Sequence, residues 1–328
     1  MKALLRQLTQ VASPSGYEHP IREVIRDLVQ PYADEVRTDA LGNLIVRKGT
    51  VGQGKRIMLA AHMDEIGVMV SHIDEQGFAR FAPIGGVRPA YCLGGRVRFL
   101  NGQVGVIFSE HTADPNKIPP LDKMFIDLGN PRHGIQVGDV AAFDRSFEDL
   151  GQRVVSKALD DRVGVAVLIQ ALRQLKQTPH EVYFVFSVQE EVGVRGAATA
   201  AYHLAPEVGI AVDVTGWGDT PKVPPMVDVK LGAGPAIKIR DSGMLADTRV
   251  VQWMIDTATR AKIPYQREVL LAGSTDARAI QLSRAGVPAG TISIPCRYVH
   301  SPSEMIDIRD AENAAALLVA LLSEDLPF

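Results

Sequence analysis

The chain changes texture twice, and those two changes limit its fold more than any other feature. Before residue 67 and after Ser156, helical spacing of apolar residues alternates with short apolar runs. Leu4 to Val11 and Pro20 to Val29 have the helical spacing, with the turn "SPSGYEHP" between them. "NLIVRKG" and "RIMLAAHMDE" then read as strands. From Gly67 to about Val155 the runs are short, alternating and broken by glycine, as in "GVMVSHI", "GRVRFL" and "GQVGVIFS". No segment there keeps a helical period, which predicts a small β-barrel or sandwich. Inside it, "HTADPNKIPPLDKM" (His111 to Met124) has no periodicity and carries three prolines, so it reads as a mobile loop.

Past Ser156 the alternation returns. "DDRVGVAVLIQALRQLKQ" is a predicted helix that Asp160 or Asp161 can cap. Strands are expected at "EVYFVFSVQEE", "EVGIAVDVT" and "PAGTISIP". Helices are expected at "RGAATAAYHL", "TRVVQWMIDTATRAKI", "TDARAIQLSRAG" and "DIRDAENAAALLVALLSEDL". Strands alternating with helices predict a mostly parallel sheet covered on both faces. The simplest organisation is a discontinuous α/β catalytic domain, residues 1–66 and 156–328, with a β module inserted at 67–155.

Composition narrows the function classes. With 46% hydrophobic and 22% charged residues, 328 residues can build a sizeable core. A formal net charge of -3 offers neither a basic field for nucleic acid nor a polybasic membrane patch. Two cysteines, Cys92 and Cys296, are too few for a zinc cluster and fit a reducing compartment. "MKALLRQLTQ" reads as an amphipathic helix and not a signal peptide, and no apolar stretch reaches the ~18 residues of a membrane span. The expectation is a soluble cytoplasmic protein.

The polar residues then collect in one place. His62 and Asp64 follow the apolar run Ile57 to Ala61, and Glu190 and Glu191 follow Val182 to Val188. Asp213 closes "GIAVDV", His300 lies just past "TISIP", and Asp160 begins the long helix. Ligands of open parallel sheets bind beyond the carboxyl ends of the strands. Oxygen and imidazole donors gathered on that rim suit zinc, cobalt or manganese. The set exceeds the roughly three protein ligands of one catalytic zinc. Two metals sharing a carboxylate use it better. The adjacent glutamates repel unless cations offset them. One can be a ligand while the other takes a proton from the attacking water. Each residue alone also has a plainer reading, as a core histidine, a solvated pair or a helix cap. Their joint placement favours the metal site.

Six motifs in order carry a resemblance: "AAHMDEIGVMV", "KALDDRVG", "FSVQEEVGVRGA", "AVDVT" with "DTP" nearby, "STDARAI" and "RYVHSPSE". The chain closely resembles metallopeptidase family forty-two, the tetrahedral (TET-type) aminopeptidases, from "SPSGYE" to "SPSEMIDIRDAE". Some members are called glutamyl or deblocking aminopeptidases, and some carry an older endoglucanase label. The resemblance implies a zinc-peptidase-like catalytic domain with an inserted small PDZ-like β-barrel for dimerisation. It implies that His62, Asp160 and Asp213 hold one divalent metal and that Asp160, Glu191 and His300 hold a second, with Asp160 bridging. Glu190 would be the general base, Asp64 would orient His62, and the Asp160–Asp161 bond would often be cis. The implied reaction is removal of N-terminal residues from peptides, in dimers assembled to a homododecamer. Separately from the resemblance, the length and prolines of the 111–124 loop raise the expectation that it reaches a neighbouring active site.

Ser274 and Arg278, in "AGSTDARAI", depart from the small residues of many relatives. With Lys238 and Arg240 they raise the expectation of a side-chain preference, acidic or large and apolar. Two other activities share such carboxylates: amide hydrolysis of acylated amino acids, and glycoside hydrolysis without metal.

Overall fold

The computed structural model describes residues 1–111, 114, 116–130, 134–222 and 227–328. The expected loop at 111–124 therefore lies partly outside the described residues.

Both textures become separate bodies of secondary structure. The larger is an eleven-stranded sheet. At its centre Glu181–Ser187, Arg56–His62, Val208–Thr215 and Ala289–Arg297 run parallel and adjacent. The expected mostly parallel sheet needs correction at its margins. Glu35–Thr38 and Leu44–Lys48 flank one side antiparallel. Ala236–Arg240 and Glu304–Asp307 both pair antiparallel with Ala289–Arg297. Gln266–Val269 adds a parallel strand outside Ala236–Arg240. Tight turns and short returns permit antiparallel edges, whereas parallel neighbours need a helical crossover.

Strand periodicity sorts the side chains to the two faces. Ile57, Leu59 and Ala61 join the core under helices Lys2–Thr9, Leu159–Gln174, Thr248–Arg260 and Ile308–Leu322. Met58 and Ala60 point the other way and pack with Ala200, Ala201, Ala277 and Ile280 of helices Arg195–Leu204 and Asp276–Gln281. Asp160 and Asp161 break the helical backbone inside Leu159–Gln174, and Asp161 caps the part that follows: its Oδ1 accepts the Gly164 N–H at 3.0 Å.

The second body is a closed six-stranded barrel of Gly67–Ile73, Ala79–Ile84, Met124–Asp127, Val104–Ser109, Arg96–Phe99 and Val140–Phe143. Its core is its own, built on Val68, Phe81, Val97, Ile107, Ile126 and Phe143. One stretch leaves it early. Glu148–Leu150 and Arg153–Ser156, placed by sequence in the insertion, pair in the large sheet through Glu304–Asp307. Among the described residues, no helix is long and apolar enough to cross a membrane. Both cysteines are free and buried.

Candidate metal centre

The parallel strands end on one rim, and the acidic residues and histidines meet there. His62 is the last residue of its strand and stands opposite Ser187, the last residue of the neighbouring one. Glu190 and Glu191 follow three and four residues later. Asn43 fixes that turn, because its Oδ1 accepts the Val188 N–H at 3.0 Å and its amide donates to Gly196 O at 3.0 Å. Asp213 sits near the end of the next strand, opposite Ser293. The loop after Ala289–Arg297 brings in His300 with a left-handed backbone, φ 63°. Ala158, Gln189, Val194 and Tyr298 also have left-handed φ values of 54–62°. Such backbone is costly for residues with a Cβ and clusters where a site demands it.

Two donor sets result. His62, Asp160 and Asp213 offer ligand atoms within 4.8 Å of one another, as do Asp160, Glu191 and His300. Asp160 belongs to both. Its Oδ1 lies 3.0 Å from His62 Nε2 and its Oδ2 3.3 Å from His300 Nε2. His300 Nε2 is 3.2 Å from Glu191 Oε2, and His62 Nε2 is 3.9 Å from Asp213 Oδ1. Glu190 is the carboxylate outside both sets, with Oε2 4.0 Å from His62 Nε2. The Asp160–Asp161 peptide is cis.

The electrostatics show an excess of negative charge. Burial raises the carboxyls of Asp213 and Glu190 well above their ordinary range, with their acidic neighbours adding to the push. Burial opposes charge on His300 too, but the Asp160 and Glu191 carboxylates pull it up to about 11. His62 is likewise held well above its usual value, by Asp160 and Asp64 against the effect of burial. Among the described residues, no lysine or arginine pairs with Asp160, Glu190, Glu191 or Asp213. Glu191 Oε1 is buried without a hydrogen-bond partner. Three carboxylates, one of them with an orphan oxygen, and two imidazoles form a donor set that fits divalent cations.

Asp64 does more than the sequence suggested. The nearer partner of His62 Nδ1 is the Asp64 carbonyl at 3.2 Å, with its carboxylate at 3.5 Å. That carboxylate accepts the Glu190 and Glu191 N–H groups at 3.0 and 3.2 Å and the Ser15 hydroxyl at 2.6 Å. It thus ties the histidine to the glutamate pair.

Other site residues escaped the sequence reading. Glu304 accepts the His300 N–H at 2.8 Å and the Asp160 N–H at 2.9 Å, so one carboxylate fixes the backbone of two candidate ligands. It lies inside "RYVHSPSE", where a glutamate near a histidine was the available signal. Gly85 and Gly86, from the barrel's edge, press on the second set. A Cβ at Gly86 would lie 2.3 Å from His300 Nδ1, and one at Gly85 3.2 Å from Glu191 Oε2. Only the glycine pair in "PIGG" hinted at that approach.

The cations singled out in sequence separate. Lys238 is 1% exposed and 3.1 Å from Glu268, with Asp241 at 3.8 Å. Arg240 and Arg278 are exposed. Ser274 lines the cleft with the ligand sets, whereas Arg278 lines the neighbouring depression beside Tyr202 and Arg284.

Comparison with known proteins bears on the family and the fold. The family model described as M42 glutamyl aminopeptidase matches residues 42–317. A lysyl aminopeptidase of Pyrococcus furiosus is 36% identical, covering 99% of this chain and 97% of its own. The structure of an aminopeptidase from the archaeon Desulfurococcus kamchatkensis superposes with a TM-score of 0.94 at 43% identity, over 99% of this chain and 95% of that one. The TET1 peptidase of Pyrococcus horikoshii, which can assemble into a tetrahedron or a large octahedral shell, gives 0.88 at 33% identity over 98% and 99%. With a rim of His and carboxylate donors and matches along nearly its whole length, the chain belongs to the M42 glutamyl aminopeptidase family and is a peptidase.

Proposed function

We propose that this chain is an aminopeptidase with two divalent ions, zinc, cobalt or manganese, one held by His62, Asp160 and Asp213 and the other by Asp160, Glu191 and His300. The observation that carries the reading is Asp160, whose two oxygens each face a different histidine. When bound, divalent cations there supply Lewis-acid polarisation of a carbonyl and make water easier to ionise near neutral pH.

The protein's own groups do the rest. Glu190 takes the proton of the attacking water on Oε2 and returns it to the leaving amine. Its place outside both donor sets leaves that oxygen available. Burial raises its proton affinity, which suits a group that must both accept and release a proton. Asp64 holds His62 and the backbone of both glutamates in register. Glu304 does the same for Asp160 and His300.

Substrate preference follows less directly. The matched family is described as glutamyl and the P. furiosus relative as lysyl. Here Glu268 and Asp241 already balance Lys238, so that residue is a poor anchor for an acidic N-terminal side chain. We further propose that the barrel, residues 67–143, is a PDZ-like oligomerisation module in a tetrahedral dodecamer built from dimers. Its exposed Leu93, Leu100, Val106, Phe108, Ile118 and Val137 support a surface that packs against other subunits.

The test is an aminoacyl-anilide panel assayed with metal, after chelation, and after adding back zinc, cobalt or manganese, with N-acetylated analogues alongside. Free-amine substrates should be cleaved, lost to chelator and recovered with metal. Equal cleavage of acetylated substrates points to an amidohydrolase, and cleavage that survives chelation overturns the metal reading.

A further inference from the structure

The cleft has two unlike sides. One side is deep: Asp213, Thr215 and Lys238 line it and are at most 6% exposed. The other is a barrel loop, Gly85 to Arg88, that lies over His300 and Glu191. Arg88 lines the same cleft of about 480 Å³ as His62, Asp160 and Glu190, yet it is exposed.

Its state differs from that of other barrel arginines. Arg80 pairs with Glu110, and Arg96 and Arg98 pair with Asp144. Among the described residues, the Arg88 guanidinium makes no ion pair or side-chain hydrogen bond. Its backbone is nevertheless set. Pro89 follows it and restricts it to extended conformations, and φ -102°, ψ 130° are observed. Gly86, two residues earlier, lies beside the His300 ring, with no room for a Cβ on that side. An unpaired planar donor on a stiff loop beside a reaction centre is suited to bidentate recognition of a carboxylate.

The direction of the cleft says which carboxylate. An aminopeptidase substrate whose first side chain occupies the deep side would lead its following residues out by the exposed side, past Arg88. We propose that Arg88 is a specificity residue that binds a substrate carboxylate downstream of the scissile bond. That group is the free C-terminus of a short peptide or an acidic side chain at its second or third position.

The inference rests on the aminopeptidase reading, and one substrate set separates the two. X is the residue best cleaved in the anilide panel, and the probes are X-Gly-Gly, its C-terminal amide, and the amide of X-Asp-Gly. With the metal-loaded wild type, kcat/KM for X-Gly-Gly should exceed that for its amide about tenfold, the scale of one charge-assisted contact. Arg88→Gln should bring that ratio to about one, mainly through KM, and Arg88→Lys should keep part of it. Recovery of rate by the X-Asp-Gly amide assigns the contact to side chains as well as to the C-terminus. A ratio, measured within each variant, is insensitive to how much of that variant folds. An identical ratio in wild type and Arg88→Gln overturns the Arg88 assignment while leaving the aminopeptidase intact. Failure of the loaded wild type to cleave any of the three sinks the aminopeptidase reading and this inference together.

Discussion

The barrel and the α/β sheet solve the same packing problem with opposite materials. Among the described residues, every buried polar or charged side chain lies outside 67–143. The barrel interior is apolar, and its ion pairs, such as Arg98 with Asp144, stay near solvent. The sheet buries His62, Asp64, Asp160, Asp161, Asp213 and Glu304 on its rim. It also encloses Lys157 with Glu65 at 2.6 Å, beside a fully buried Arg162. Buried charges cost several kcal/mol each unless paired and hydrogen-bonded. The sheet can bear that cost because wide apolar layers cover both of its faces. The barrel is too small to do so, and it meets the site at its edge, with the 85–88 loop and Phe143. Chemistry sits where the fold has apolar packing to spare.

The sharpest way to break this contrast is to remove the proton carrier alone. Glu190→Gln keeps shape and should keep metal and assembly, while turnover falls roughly 10²–10⁴-fold. A near-normal rate would show that Glu190 is not the base. A smaller effect tests the barrel loop that lies against a candidate ligand. Gly86→Ala puts a methyl against the His300 ring, and metal affinity and activity should drop roughly 10–100-fold, as for groups that orient ligands. Unchanged zinc titrations would mean that the loop does not constrain His300.

Two further changes separate the halves by stability. Ile107→Ala hollows the barrel core and should cost about 2–5 kcal/mol in denaturant melts, with metal stoichiometry unaltered. Loss of metal in that variant would make the two bodies one cooperative unit. The last prediction concerns buried charge far from the rim. Asp310 accepts the Gly232 and Gly234 N–H groups at 2.7 and 2.8 Å, and burial lifts its carboxyl to about 6 from 3.8. A raised acid is favoured protonated in the fold, so its contribution is full below about pH 4 and is lost as pH rises through about 6. Relative to Asp310→Asn, the wild type should lose on the order of 3 kcal/mol across that window. A flat difference would remove Asp310 from the set of strained groups.

The same contrast explains what could be read from sequence. Residues that end apolar runs, such as His62, Asp213 and the Glu190–Glu191 pair, were visible because burial imposes a pattern on the chain before them. The barrel was visible as a loss of helical period. Contacts between distant segments leave no such trace. Glu304 reaches Asp160 across 144 residues, and nothing local to Glu304 announces that second contact. Ser15 on Asp64 and Gly86 on His300 are hidden in the same way. The antiparallel margins were missed because a short strand such as Glu304–Asp307 has no room for periodicity. Lys238 looked like a free cation because its partners Glu268 and Asp241 come together only in three dimensions.

The central claim is that two cations share Asp160. Its most direct test is the metal content per chain after loading with zinc and exhaustive dialysis, for the wild type and for His62→Ala and His300→Ala. About two ions are expected in the wild type, with a clear loss in each variant. No retained metal in the wild type, or the same stoichiometry in all three proteins, would contradict it.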